Sequence, residues 1–195
     1  MYMKKFLLFL LTLAVFFFFL TRATEANQSD ILINEIAWMG TATSFSDEWM
    51  ELVNNTDKSI DVSGWTLISG NDKLKINLQG VITPYGFYLL ERTDNSSVPL
   101  LTADVIYKGV LNNDGTNVKL YDNLGNLIDE ANYLTGWPAG NNDTKQTMER
   151  SDLAKWPASN ASRSDAGWHT SQSPGGTPKT YNSPGVKTTS NPNSS

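Results

Sequence analysis

Between residues 31 and 170 apolar, β-branched and aromatic residues recur in short runs of four to eight, and no window holds a helical stripe for three turns. Gly, Asn, Asp, Ser and Pro cluster between the runs, which is the punctuation of strands joined by turns. The pattern predicts strands at Ile31–Trp38, Glu48–Asn54, Ser59–Ser69 with a break at Ser63-Gly64, Lys73–Leu78 and Phe87–Arg92. Further strands are expected at Val105–Gly109, Asn117–Tyr121, Leu127–Tyr133 and Gln146–Arg150. Alternation within Glu48–Asn54 places Met50 and Leu52 on one face and Trp49, Glu51 and Val53 on the other. The clearest hairpin joins Asn117–Tyr121 to Leu127–Tyr133 through Asp122–Asn126, where Gly125 suits the left-handed position of a type I turn with a bulge. About eight or nine short strands without helices imply an all-β, antiparallel architecture, either a sandwich or a small closed barrel.

The two ends depart from this pattern. Lys4 and Lys5 precede Phe6–Leu20, an apolar run broken only by Thr12, and small residues follow at Ala23 and Ala26. Residues 1–26 therefore read as an export signal. As a helix the run would span ~22 Å, short of the ~30 Å hydrocarbon core, so a retained membrane anchor is the second reading. From Ser171 onward the chain is rich in Ser, Thr, Pro, Gly and Asn, and residues 171–195 are expected to be a flexible tail. That leaves 31–170 as the folded domain.

Composition narrows the chemistry. The chain has 15 Lys and Arg against 20 Asp and Glu, a net charge of −5, with no cysteine and one histidine. Zinc fingers, disulfide frameworks and thiol enzymes are excluded because their ligands or nucleophiles are missing. Nucleic acid is disfavoured as a partner, since phosphate binding draws on Lys and Arg and no basic run lies beyond the N-terminus. An exported chain without disulfides must rely on the size of its core.

Candidate catalytic groups do not assemble on paper. A Ser-His-Asp arrangement would have to use His169, which is expected at the surface, and no Gly-x-Ser-x-Gly elbow occurs. Paired carboxylates could come from Asp47, Glu48 and Glu51, but Asp47 and Glu48 are strand neighbours that point to opposite faces and do not converge as a glycosidase pair. The Asn112–Gly115 and Asp122–Asn126 segments carry oxygen ligands but lack the spacing of a calcium loop, and turn chemistry accounts for both. No catalytic, cofactor-binding or metal-binding residue is assigned, and no cofactor is expected. Trp137, Trp156 and Trp168 lie in polar sequence, and Pro follows the first two. They either pin a loop-rich segment to the fold or offer rings for stacking on sugar.

The order of motifs carries further information. It runs through Ile33-Asn34-Glu35-Ile36, then Asp47-Glu48-Trp49-Met50-Glu51-Leu52-Val53-Asn54 and Asp61-Val62-Ser63-Gly64-Trp65-Thr66-Leu67. Pro84-Tyr85-Gly86-Phe87-Tyr88-Leu89-Leu90 follows, then Leu120-Tyr121-Asp122 with Gly125, Met148-Glu149-Arg150, Trp156 and Ser173-Pro174-Gly175. This series resembles the lamin-tail domain in its exported bacterial form, with a looser match over 134–180.

The resemblance implies an immunoglobulin-like β-sandwich in which Glu35, Trp49, Glu51, Asn54, Gly64, Trp65, Gly86, Gly125, Arg150, Pro174 and Gly175 are structural motif positions. Trp65 is expected in the core, and Arg150 is the expected partner of Glu51. In nuclear lamins the equivalent domain is a protein-interaction surface that sometimes contacts nucleic acid. In bacteria it stands alone or beside exported hydrolases. The expectation is a secreted, non-enzymatic binding or scaffolding module whose partner is a protein or a surface polysaccharide. Membrane contact would come only through an uncleaved N-terminal segment. The alternatives are a carbohydrate-binding or adhesion module that uses the exposed tryptophans and, more remotely, a small exported hydrolase.

Overall fold

The computed structural model describes residues 30–70, 74–151 and 167–185. Residues 1–26, expected to be an export signal, and Trp156 lie outside them. Among the described residues there are twelve strands and no helix: β1 (Ile31–Ala37), β2 (Trp49–Asn54), β3 (Ile60–Asp61), β4 (Thr66–Ser69), β5 (Leu74–Asn77), β6 (Val81–Ile82), β7 (Phe87–Arg92), β8 (Val105–Tyr107), β9 (Asn117–Tyr121), β10 (Leu127–Asn132), β11 (Gln146–Arg150) and β12 (Trp168–Pro174). They form a six-stranded sheet in the order β12-β11-β1-β2-β7-β8, a four-stranded sheet β10-β9-β4-β5 and a small β3-β6 pair. The fold is an immunoglobulin-like β-sandwich.

Three details correct the sequence reading. The strand count is twelve, because β6 and β12 were not expected and the Ser59–Ser69 run divides into β3 and β4. The pairing is not wholly antiparallel, since β8 runs parallel to β7. Finally, 171–185 is not a loose tail: Ser171 to Pro174 complete β12, and the chain beyond packs on the sheet. Polar hydrogen bonds hold most of that segment, with Tyr181 edge-on to Phe87 as its ring contact to the sheet, which is why its composition concealed it.

Cross-strand rows build the core. Ile36 is flanked by Met50 and Met148, and Met50 by Leu90. On the facing sheet Leu67 lies between Ile76 and Leu120. All are buried, together with Val62, Val118 and Ile128. Trp65 joins this cluster as expected, and a ring of its size removes about 150–250 Å² from water.

The bulge between Ile33 and Glu35 inserts Asn34 into β1, so that Ile33 keeps to the inner row while Glu35 meets Glu51 on the outer one. Beside it a buried ion pair bridges the two sheets. Asp129 Oδ2, from β10, accepts from Arg150 Nη2 at 2.6 Å and from Ile33 N–H at 2.8 Å. Arg150 Nε donates to the Ile33 carbonyl at 2.7 Å, and its guanidinium lies 4.8 Å from the centre of the Trp168 ring. Arg150 is therefore the partner of Asp129, not of Glu51. It sits on the inward side of β11 with Met148, whereas Glu51 faces outward.

Other motif residues set turns. Asn54 Nδ2 donates to the carbonyls of Lys58, Ile82 and Thr83, and its Oδ1 accepts from Thr56. This ties the end of β2 to β3 and β6. Gly64 N–H donates to Leu78, and Gly86 N–H to Thr83. Gly125, at φ 84°, occupies the left-handed position in the β9–β10 hairpin. There Asp122 Oδ1 accepts from the N–H groups of Leu124 and Asn126.

Candidate functional site

One end of the sandwich opens into a groove of about 700 Å³ between the loop before β2, the end of β7 and the connection from β8 to β9. Phe45, Val110 and Leu134 stand at its edge and are 79%, 60% and 66% exposed. A sandwich has no packing reason to leave three large apolar side chains around one concavity, so the rim is the kind of patch a partner covers. Glu48 and Arg92 line the groove, with Glu48 Oε1 accepting from Arg92 Nη1 at 3.0 Å. Glu48 Oε2 accepts from the Leu111 N–H at 2.9 Å.

Burial pushes the Glu48 carboxyl up to about 7, outweighing the pull of the Leu111 N–H and Arg92 in the other direction. Tyr107 is buried nearby, and its phenol is raised first by burial and then by the Glu48 charge. The arrangement offers an apolar rim, a fixed polar floor and no activated nucleophile. It is suited to holding a ligand.

A second cavity of about 360 Å³ lies against the outer face of the large sheet, lined by Trp49, Asp47, Thr41, Thr147 and Lys145 and reaching Pro174 and Gly175. Thr41 Oγ1 donates to Asp47 Oδ2 at 2.6 Å, and Gly175 N–H donates to the Lys145 carbonyl at 2.7 Å. Pro174 and Gly175 thus mark the point where the chain leaves β12 and turns back over the sheet.

What lies under that turn could not be read from the sequence. Glu35 is directly opposite Glu51 on one side and Glu149 on the other, and all three are fully buried. The segment 175–185 runs across them as a strap. Thr177 N–H donates to Glu35 at 3.1 Å, Lys179 N–H to Glu51 at 2.6 Å and Ser183 N–H to Glu149 at 2.8 Å. Asn182 Nδ2 donates to the carbonyls of Asn34 and Arg150. Burial raises Glu35 and Glu51 to about 8. For Glu35 the charges of Glu149 and Glu51 add to the rise, against donors from Thr147 and Thr177. For Glu51, donors from Lys179 and Asn34 oppose it.

His169 belongs to this region and is not the surface residue expected, since its side chain is only 14% exposed. Nε2 lies 3.0 Å from Glu149 Oε2 and 2.8 Å from the Ser183 carbonyl, and Nδ1 lies 2.9 Å from Ser151 Oγ. Hydroxyl, imidazole and carboxylate stand in the order of a nucleophile triad. The strap nevertheless covers the ring at Gly185, Glu149 is occupied by Thr177 and Ser183, and Ser151 lines neither cavity. Among the described residues no group of three or more His, Cys, Asp or Glu side chains could hold a metal ion.

Of the tryptophans singled out as sugar-stacking candidates, Trp137 and Trp168 are partly buried against the core cluster. Trp137 stacks on Trp38 with centroids 6.3 Å apart and planes at 10°, and its Nε1 donates to the Asn112 carbonyl at 2.9 Å. Trp168 underlies Arg150. The groove residues Phe45, Val110 and Leu134 were missed. The available signal was a lone large apolar residue in a polar connection, clearest for Phe45 within Thr43-Ser44-Phe45-Ser46.

No curated protein matches the chain. A family model does, the Lamin Tail Domain, over residues 24–135, which is more than half of the sequence. That match covers β1 to β10, including the Asn54 turn, Trp65 and the Asp129 end of the inter-sheet ion pair. The chain is a member of the lamin-tail domain family.

Proposed function

We propose that this protein is an exported, non-enzymatic binding module that engages a protein partner through the groove at the end of its sandwich. The observation that carries this reading is the exposure of Phe45, Val110 and Leu134 around the Glu48–Arg92 pair. Apolar anchors beside a fixed polar pair are the ingredients of a small interaction hot spot. Membership in a family whose domains commonly bind or scaffold supports the same conclusion. Export rests on Lys4, Lys5 and the apolar run that follows them. The net charge of −5 supports a protein over a polyanion. The sugar-binding alternative is weakened because Trp137 and Trp168 are engaged in holding their own segments.

The test is a photo-crosslinking amino acid placed at Phe45 in the full chain expressed in its host, with the same group at Leu124 as control. Leu124 is also exposed, but it sits in the turn at the far end of β9 from the groove. The expected result is a discrete, protease-sensitive adduct from Phe45 alone. Equal labelling from both positions, or a protease-resistant glycan adduct, would overturn the reading.

A further inference from the structure

We propose that segment 175–185 is a pH-operated latch on the outer face of the large sheet, closed over Glu35 and Glu51 while those two carboxyls hold their protons and released as they ionise. The proposal is independent of the groove. Its first support is geometric. Like charges directly opposite one another across adjacent strands repel, and here Glu35, Glu51 and Glu149 form such a row with no water access. Three ionised carboxylates buried together would lack the countercharge that burial demands.

The charged groups around the row supply only part of it, and none of it at Glu35. From β2 comes Glu51, from β11 Glu149 and from β12 His169 beside Glu149; the strap itself brings Lys179. The Lys179 ammonium lowers Glu51 but is paired with Asp104, which precedes β8 and raises it. Arg150 faces the other side of the sheet, toward Asp129.

The second support is the way the strap is seated. It makes no apolar plug over the row and meets it through N–H groups and hydroxyls at Thr177, Lys179 and Ser183. The Thr147 and Thr177 hydroxyls can each accept as well as donate, so a protonated Glu35 is accommodated without losing a partner. Gly176 lies so close that an added Cβ would fall 1.7 Å from Glu35 Oε1. The backbone there is also left-handed, at φ 65°. The strap therefore closes only on a bare glycine in contact with the carboxyl.

The direction of the switch follows from linkage. With the strap lifted, Glu35 and Glu51 face water and ionise near their ordinary value of 4.5; with it closed they keep their protons to about 8. Closure is thus strongest below 4.5 and weakens as pH rises toward 8. Each carboxyl that loses its proton on opening makes opening about tenfold easier per pH unit in that window. Release exposes Asn34 and the three glutamates as an acidic face and frees a Thr/Pro/Lys/Asn segment.

Amide hydrogen exchange on the full chain at pH 5.5 and pH 7.5, corrected for the intrinsic base-catalysed rate, decides the matter. The Thr177, Lys179 and Ser183 amides should lose about a hundredfold of protection between the two for each carboxyl that ionises, so about a thousandfold or more for Glu35 and Glu51 together, while the Leu67 and Leu120 amides in the opposite sheet keep theirs. The E35Q/E51Q variant, which keeps acceptors but cannot ionise, should show a flat profile. G176A should show the strap amides open at both values. Strap protection that does not change with pH, that falls in step with Leu67, or that keeps its slope in E35Q/E51Q would overturn the proposal.

Discussion

Arg150 and Asp129 meet across the interior of the sandwich, Nη2 to Oδ2 at 2.6 Å, with side chains 2% and 0% exposed. The pair does more than join β11 to β10, because both members also bond the backbone of Ile33 beside the Asn34 bulge. It thereby positions the outward register in which Glu35 faces Glu51. Removing one partner leaves the other charge buried without this ion pair, so R150M or D129L alone should cost about 3–5 kcal/mol. The double variant should recover a large part of that loss. Urea denaturation of the two single variants and the double, read as a cycle, checks both statements; additive losses would show that the charges act separately.

Asn54 offers a second test, because its side-chain amide serves three carbonyls at the junction of β2, β3 and β6. N54A should destabilise by about 1–3 kcal/mol through the acceptors left without a donor. N54D should be worse, since it brings an acceptor to face acceptors. A shift in the urea midpoint with an unchanged slope would identify the effect as local to the native turn.

The tryptophans can be ranked. Trp65 is buried in the core, and W65A should cost about 3–5 kcal/mol. Trp137 is half-buried and stacked on Trp38, so W137A should cost about 0.5–1.5 kcal/mol from the lost ring pair. If W137A left stability untouched while removing a binding activity, that ring would belong to a ligand and not to the fold.

The groove carries its own pH signature. Glu48 holds its proton up to about 7 in the folded protein against an ordinary 4.5. Its contribution to stability is therefore complete below 4.5 and is lost as pH rises through 7. E48Q should flatten the fall in melting temperature over that interval relative to the wild type. A wild-type slope that survives in E48Q would assign the titration to the Glu35–Glu51 row instead.

Much of the framework was legible because strand pairing leaves a local imprint. Phe87–Arg92, Asn117–Tyr121 and Gln146–Arg150 were located to the residue by runs of β-formers between turns. Two strands escaped for physical reasons. Val81-Ile82 is too short to show alternation. Trp168–Pro174 is mostly polar, pairing through its backbone with β11 while its side chains gain little from burial. Charge partners were less legible still. Glu51 and Arg150 share motif status but lie on opposite faces of one sheet, and only the bulge at Asn34 and the crossing to Asp129 separate them. The groove rim combines residues 45, 110 and 134, a convergence that no local window contains.

The position of β1 has a temporal consequence. It lies between β2, which follows immediately, and β11, which begins only at Gln146. A growing chain that has emerged as far as residue 135 carries every strand of the family match, yet one long side of β1 still offers bare peptide groups to whatever is nearest. Maturation of the large sheet must wait for β11 and β12, so the slow and vulnerable interval falls after most of the core residues are already present.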